Sequence, residues 1–334
     1  MGQATDVCET TVERLQRLYA PIRGELDEVE QILRVESRSE HPFVDQLVQH
    51  SFRLGGKRLR PALLLLSGKA CGTIVKEHVI LAAVMEMIHT ATLIHDDVLD
   101  EAAIRRHLQT VNARWDNEAS VLLGDYLLAR SMCLASSLES TFASRAISEA
   151  SRWMCEGELR QVGSRGDFDL AEEDYLRIVS GKTAALCACC CRLGAHHAGA
   201  DAEVGDHFGR FGQQFGIAFQ IVDDVLDLRG TEAVAGKSLG TDLTKQKPTL
   251  PVIRLLSRVD RRERAEVIAI LQRAGDHRAE ALRPWLQRYD AISYAQHVAL
   301  RHIRRAKEEL DRAQPTAARE TLKQLADFVI LRDQ

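Results

Sequence analysis

Glu86-Met87-Ile88-His89-Thr90-Ala91-Thr92-Leu93-Ile94-His95-Asp96-Asp97-Val98-Leu99-Asp100 begins as an apolar helix and closes in three carboxylates. On a helix Asp96 and Asp100 stand four residues apart, so both project from one face at about 6 Å. Two such carboxylates repel each other unless a cation sits between them, and hard divalent ions such as Mg2+ prefer oxygen ligands. A solvated acidic helix end is the bland alternative. It fits poorly, because the ten preceding residues are mostly apolar and would carry the carboxylates towards a core.

The same spacing returns in Gln220-Ile221-Val222-Asp223-Asp224-Val225-Leu226-Asp227, 127 residues on and again at the end of an apolar helix. Two copies of D-D-x-x-D predict two acidic clusters aimed into one cavity, holding metal ions around a polyanion.

Around these stretches the pattern is helical. Apolar residues recur at i, i+3, i+4 and i+7, only seven prolines interrupt 334 residues, and no alternating strand run stands out. One helix is predicted over 7–35, with Val12, Leu15, Leu18, Ile22, Leu26, Val29 and Leu33 on one side. Another starts at Pro42, a third near Arg60, and the acidic stretch itself closes a helix over 77–101. Beyond a break at 105–117, helices follow over 118–138, 142–162, 172–195 and 202–228. A Gly-, Lys- and Pro-rich loop then runs over 229–251, followed by shorter helices near 249–258, 261–274, 277–288, 290–312 and 316–331. No linker divides the chain. The expectation is one all-α domain over 1–334, a bundle of about ten to thirteen helices around a central cavity.

Composition narrows the function. The chain is 45% apolar and 28% charged with a net charge of −4, which lacks the basic excess of a nucleic-acid binder. It has no run of 18 uncharged apolar residues, and Asp6, Glu9 and Glu13 break up any signal-peptide core. Eight cysteines, four of them crowded into Cys187, Cys189, Cys190 and Cys191, suit no disulfide framework and point to a reduced, cytoplasmic setting. With His196 and His197 nearby, the four could be read as a zinc site. Their place inside an apolar helical run favours small core residues instead.

Basic residues stand where an anion would need them. Lys57 and Arg60 lie three apart at a helix start, Arg105 and Arg106 follow the first acidic cluster, Lys182 sits in Gly181-Lys182-Thr183, and Lys237 and Lys247 follow the second cluster. Any one of them alone reads as a solvated side chain. Together they frame a diphosphate.

Gly-Gly-Lys-Arg-Leu-Arg-Pro over 55–61, the first D-D-x-x-D with Arg105-Arg106, Gly181-Lys182-Thr183, Phe219-Gln220, the second D-D-x-x-D, and Gly236-Lys237 with Gly240-Thr241-Asp242 resemble, in order, the trans-isoprenyl diphosphate synthases. The ending Leu325-Ala326-Asp327-Phe328-Val329 to Arg332-Asp333 is similar to the longer-chain bacterial members, of octaprenyl or solanesyl type. The resemblance implies an isoprenoid-synthase fold, a homodimer, and a Mg2+-dependent head-to-tail (1'-4) condensation of isopentenyl diphosphate with an allylic diphosphate. It implies that Asp96, Asp100 and Asp223 are the main ligands of three Mg2+ ions, replaceable by Mn2+, with Asp97, Asp224 and Asp227 in support. Arg105, Lys182, Lys237 and Lys247 would grip the allylic diphosphate, with Thr183 and Gln220 alongside. Lys57, Arg60, His89 and Arg106 would bind isopentenyl diphosphate. Asp96, Asp100, Arg105, Lys182, Asp223 and Lys237 would carry the catalysis, between apolar walls of Leu93, Phe215 and Phe219. The chain departs from the family after Arg106, where Gly-x-Pro-Thr is replaced by His107-Leu108-Gln109-Thr110. That change should alter the loop holding both arginines.

A helix rises about 5.4 Å per turn, close to one isoprene unit, so Thr92 and Ala91, then Ile88 and Met87, should line the path of a growing tail. Small residues at 91 and 92 leave it open and predict a long all-trans product of about C30–C50; a farnesyl- or geranylgeranyl-length product is the alternative. Three other readings fit less well. A terpene cyclase lacks the Lys57/Arg60 pair, a regulatory subunit loses acidic ligands that this chain keeps, and a ferritin-like bundle needs a second partner for Glu86-x-x-His89.

Overall fold

The computed structural model describes residues 11–53, 55–229, 241–273 and 278–331. Among them, twelve helices of eleven residues or more make up most of the chain. The all-α class expected from periodicity holds, with one addition. Ile104–Arg105 (β1) and Leu108–Gln109 (β2) pair as a two-residue antiparallel hairpin, too short to leave an alternating signature.

Residues 7–10 of the helix predicted over 7–35 lie outside the described residues, and the rest is two helices, α1 (Thr11–Tyr19) and α2 (Arg23–Glu36), with a 3-10 turn at Ala20–Ile22 between them. Pro21 is the cause, since it has no N–H to give and its ring crowds the preceding turn. Leu15, Leu18, Ile22, Val29 and Leu33 are buried as expected, but Val12 is 63% exposed. Then come α3 (Pro42–Arg53), α4 (Leu59–Cys71), α5 (Lys76–Leu99), α6 (Val111–Arg114), α7 (Asn117–Ser136) and α8 (Thr141–Gly163). Next, α9 (Glu172–Val179) runs through a π-helical turn at Ser180–Ala184 into α10 (Ala185–His197), followed by α11 (Ala202–Arg229). The described remainder is α12 (Thr241–Thr244), α13 (Leu250–Leu256), α14 (Arg261–Leu271), α15 (Arg278–Arg288), α16 (Ala291–Leu310) and α17 (Ala317–Leu331).

Four consecutive leucines, Leu63 to Leu66, are fully buried, so α4 is covered on every side and sits at the centre. Helix α10 lies between α4 and α11, while α5 packs on α4 and α7, and α11 on α16. Cys187, Cys189, Cys190 and Cys191 are buried on α10 as small packing residues, and burial pushes the Cys189 thiol up to about 12. Small side chains are needed because the α10 and α11 backbones touch: a Cβ on Gly212 would strike the Cys187 carbonyl. Helix α5 and the stretch Glu172–His197 are long and apolar enough to cross a bilayer, yet 72% of each apolar window is buried within the protein. They are core helices. What α5 and α11 bring to the site is their polar ends.

Candidate active site

A cavity of about 900 Å3 opens between α4, α5, α8, the π-turn and α11. From α5 it takes Ile88, His89, Ala91, Thr92, Leu93 and Asp96, and from α11 Phe219, Gln220 and Asp223. The two acidic clusters therefore meet one space, each through its first aspartate. Phe215 does not line it. That ring is fully buried and lies behind Phe219, with centroids 6.4 Å apart. Met87, also fully buried, faces the core rather than the cavity. Leu128 of α7 and Met154, Cys155 and Leu159 of α8 complete the apolar wall, and no motif in the sequence marks them.

Burial raises the pKa of Asp96, and Glu158 and Asp100 add to the rise while Lys182 and Arg105 oppose it. Asp97 points into the protein and accepts a hydrogen bond from Arg105 Nε at 2.8 Å. Burial lifts its carboxyl to about 6 in spite of that arginine. Asp100 caps the end of α5, and both its oxygens accept from Lys247 Nζ, at 2.8 and 3.0 Å.

In the second cluster Asp224 is almost fully buried. Its oxygens accept from Tyr175 Oη and Gln220 Nε2, each at 2.7 Å, and burial pushes its pKa up to about 8. Thr183 donates to Gln220 Oε1 at 2.7 Å, so Thr183, Gln220, Asp224 and Tyr175 form one chain of hydrogen bonds. Asp227, also buried, accepts the Asp242 backbone N–H at 3.3 Å. The segment from Asp242 to Lys247 thus ties the second cluster to Asp100 of the first. Lys237 lies outside the described residues.

Lys182 enters through the π-turn, a device that redirects a helix face without ending the helix. The turn is seated on α8 at Gly157, where a Cβ would collide with the Lys182 backbone. Lys182 Nζ lies 2.5 Å from Glu158 and 2.8 Å from Gln161 Oε1. Burial would strip its proton, but Asp96 and Glu158 outweigh burial and hold its pKa above the ordinary lysine value.

Lys57, Arg58 and Arg60 enter the cavity at the start of α4, beside His89, Arg105 and Arg106. Burial and then Arg60 and Arg106 push the His89 pKa well below its usual value, so its imidazole is neutral at pH 7. Glu86, 3% exposed, accepts from Arg58 at 2.7 Å. Arg58, Glu86, Glu158 and Tyr175 are the residues that sequence reasoning left without a role here. Each is fixed by a tertiary contact rather than by local spacing.

The sequence model of the polyprenyl synthetase family matches residues 41–286. The chain belongs to the polyprenyl synthetase family. It is therefore a prenyltransferase. It is 34% identical to heptaprenyl diphosphate synthase component 2 of Geobacillus stearothermophilus, over 96% of this chain and 99% of that one. It is 36% identical to octaprenyl diphosphate synthase of Escherichia coli, over 89% and 92% of the two chains. Its fold superposes on a polyprenyl synthase from Caulobacter crescentus, solved with calcium and isoprenyl diphosphate, with a TM-score of 0.90 and 32% identity over 98% of this chain and 99% of that one.

The donor set suits a hard divalent ion. Asp96 and Asp223 offer oxygen only, and no three described His, Cys, Asp or Glu side chains gather closely enough to enclose an ion. Mg2+ is commonly held by one or two carboxylates plus substrate phosphates, which is the arrangement that fits two aspartates facing a shared cavity.

Proposed function

We propose that this chain condenses isopentenyl diphosphate with an allylic diphosphate, releasing diphosphate and building an all-trans prenyl chain of about C30–C50. The observation carrying the reading is a single cavity shared by two sets of charges. Asp96, Asp223 and Lys182 suit a metal-bound allylic diphosphate, while Lys57, Arg60 and Arg106 around His89 suit a second diphosphate without metal. Bound Mg2+ would neutralise charge on the departing diphosphate. Asp96, Asp100 and Asp223 would hold it, backed by Asp97, Asp224 and Asp227. Lys182 and Arg105, with Lys247 and Lys237, would grip the same diphosphate, which leaves with the C–O bonding pair. The isopentenyl double bond, held beside the allylic cation, supplies the electrons of the new C–C bond, and its proton can pass to the released diphosphate. Holding both substrates in register removes most of the entropic barrier. Leu93, Phe219 and Met154 keep water from the cation.

The length of the product rests on Ile88, Ala91 and Thr92 along the wall. The whole chain works as one helical unit in the cytoplasm. A second copy would pack on α7 and α8, which expose Val121, Leu122, Trp153 and Leu159. The component 2 relative supports a second reading, in which this face takes a different subunit. Size-exclusion chromatography with light scattering separates the two.

Labelled isopentenyl diphosphate, an allylic primer and Mg2+ test the reaction, with product chromatography giving the length. Incorporation into long chains is expected. A folded chain that incorporates nothing overturns the reading, and products no longer than C20 overturn the length alone.

A further inference from the structure

The family match begins at residue 41, after α1 and α2, yet these two helices hold the turn at the basic end of the cavity. Tyr19, the last residue of α1, donates its hydroxyl to the Lys57 carbonyl at 2.8 Å. Glu30 of α2 accepts from Arg58 Nε at 2.5 Å and from Nη2 at 3.3 Å. The same guanidinium donates through Nη1 to buried Glu86 of α5 at 2.7 Å. Arg58 needs such holding, because its backbone is left-handed (φ 49°, ψ 35°), a conformation that non-glycine residues adopt only when their surroundings impose it. Gly56 is pressed against the same group, since a Cβ there would come within 3.2 Å of Glu86 and of Arg106.

We propose that Tyr19 and Glu30 are positioning residues for the isopentenyl diphosphate subsite, acting through Lys57 and Arg58 to hold the turn that presents Lys57 and Arg60 to the cavity. The assignment rests on the substrate reading above. It makes a prediction opposite to that of simple electrostatics. Removing the Glu30 charge leaves the subsite more positive, which by itself strengthens diphosphate binding. Loss of positioning weakens it.

The test is steady-state kinetics of Tyr19→Phe, Glu30→Ala and their double variant, with calorimetric titration of isopentenyl diphosphate alone as a second readout. The KM and Kd for isopentenyl diphosphate should rise about tenfold in the double variant, the scale of one lost charge-assisted hydrogen bond. The allylic KM and kcat should stay within about twofold. Glu30→Gln, which keeps an acceptor for Arg58, should fall between wild type and Glu30→Ala. Unchanged or tighter isopentenyl diphosphate binding overturns the proposal, as does a parallel loss in both KM values and kcat. A wild type that binds isopentenyl diphosphate without incorporating it sinks the substrate reading, and the calorimetric comparison still decides the role of Tyr19 and Glu30. A wild type that binds none overturns both.

Discussion

Arg106 and His107 stand side by side at the corner of the β1–β2 hairpin, both left-handed, with φ of 50° and 64°. Two central residues of positive φ define a type I′ turn, whose twist suits paired strands and whose usual second residue is glycine. A side chain in this region costs about 1–2 kcal/mol. The family glycine expected after the two arginines would sit at 107 and relieve that strain. Proline at 109 would also be tolerated. Arg105 pairs with Leu108 and the next ladder bond runs from Thr110 N to Ala103 O, so the Gln109 N–H faces away from the hairpin. The departure therefore adds strain while the hairpin forms and both Arg105 and Arg106 line the cavity. His107→Gly should stabilise the protein by about 1 kcal/mol in urea unfolding. A lower midpoint would show that the turn is relaxed as it stands.

Lys247 holds both oxygens of Asp100, so a metal arriving at Asp100 must displace it. On the proposed reading the ammonium would compete with the ion until a diphosphate takes the lysine. Lys247→Gln should lower the Mg2+ Kd of the substrate-free chain about tenfold, the scale of a charge-assisted hydrogen bond. It should also lower kcat/KM, because the diphosphate loses a cation. Calorimetry with Mg2+ alone is the check, and an unchanged Kd removes Asp100 from the ligand set.

Periodicity placed most helices within a residue or two, as with 118–138 against Asn117–Ser136, because amphipathic spacing and polar caps such as Asp116 are local signals. What escaped it was set by the third dimension. Phe215 and Phe219 lie one turn apart on α11, yet only Phe219 reaches the cavity, since the Phe215 ring is fully buried in the core. The π-turn that delivers Lys182 carries no sequence mark beyond Gly181. Glu86 reads as one more acid on an apolar helix until Arg58 is folded against it. The acidic motifs were legible because their spacing is itself the chemistry. Tyr175 and Lys247, which hold Asp224 and Asp100, come from 49 and 147 residues away.

His302 makes stability depend on pH. Its ring is 8% exposed, Nδ1 lies 2.7 Å from Gln214 Oε1, and burial, then Arg305 and Arg301, lower its pKa from 6.5 to about 4. Between those values the unfolded chain binds a proton that the folded one refuses. The contribution is therefore complete above pH 6.5 and is lost as pH falls towards 4, amounting to about 3 kcal/mol across the window. His197, pushed to about 4 by burial and by His196 and His78, acts in the same direction. Urea unfolding at pH 7 and 4.5 should show a fall in wild type that is shallower in His302→Gln. Equal slopes would place the pH dependence elsewhere.

On the proposed reading the growing tail runs along α5, and the structure sharpens which substitution tests this. Thr92 and Ile88 lie one and two turns before Asp96 and both face the cavity. Ala91 faces it too, but is 3% exposed and packs with Leu47 of α3 and Leu123 of α7. A phenylalanine at 91 either enters the channel or wedges α5 from those helices, and only the first outcome bears on chain length. Thr92 is half-buried and its hydroxyl donates to the His89 carbonyl of its own helix, so Thr92→Phe should block the proposed channel with little disturbance of the core. Both variants should shorten the product, with Thr92→Phe keeping the wild-type melting temperature. If chromatography shows the same chain length in a folded Thr92→Phe and in Ala91→Phe, the tail does not grow along this face of α5. The wall formed by Leu128, Met154 and Leu159 would then be the place to look for what limits it.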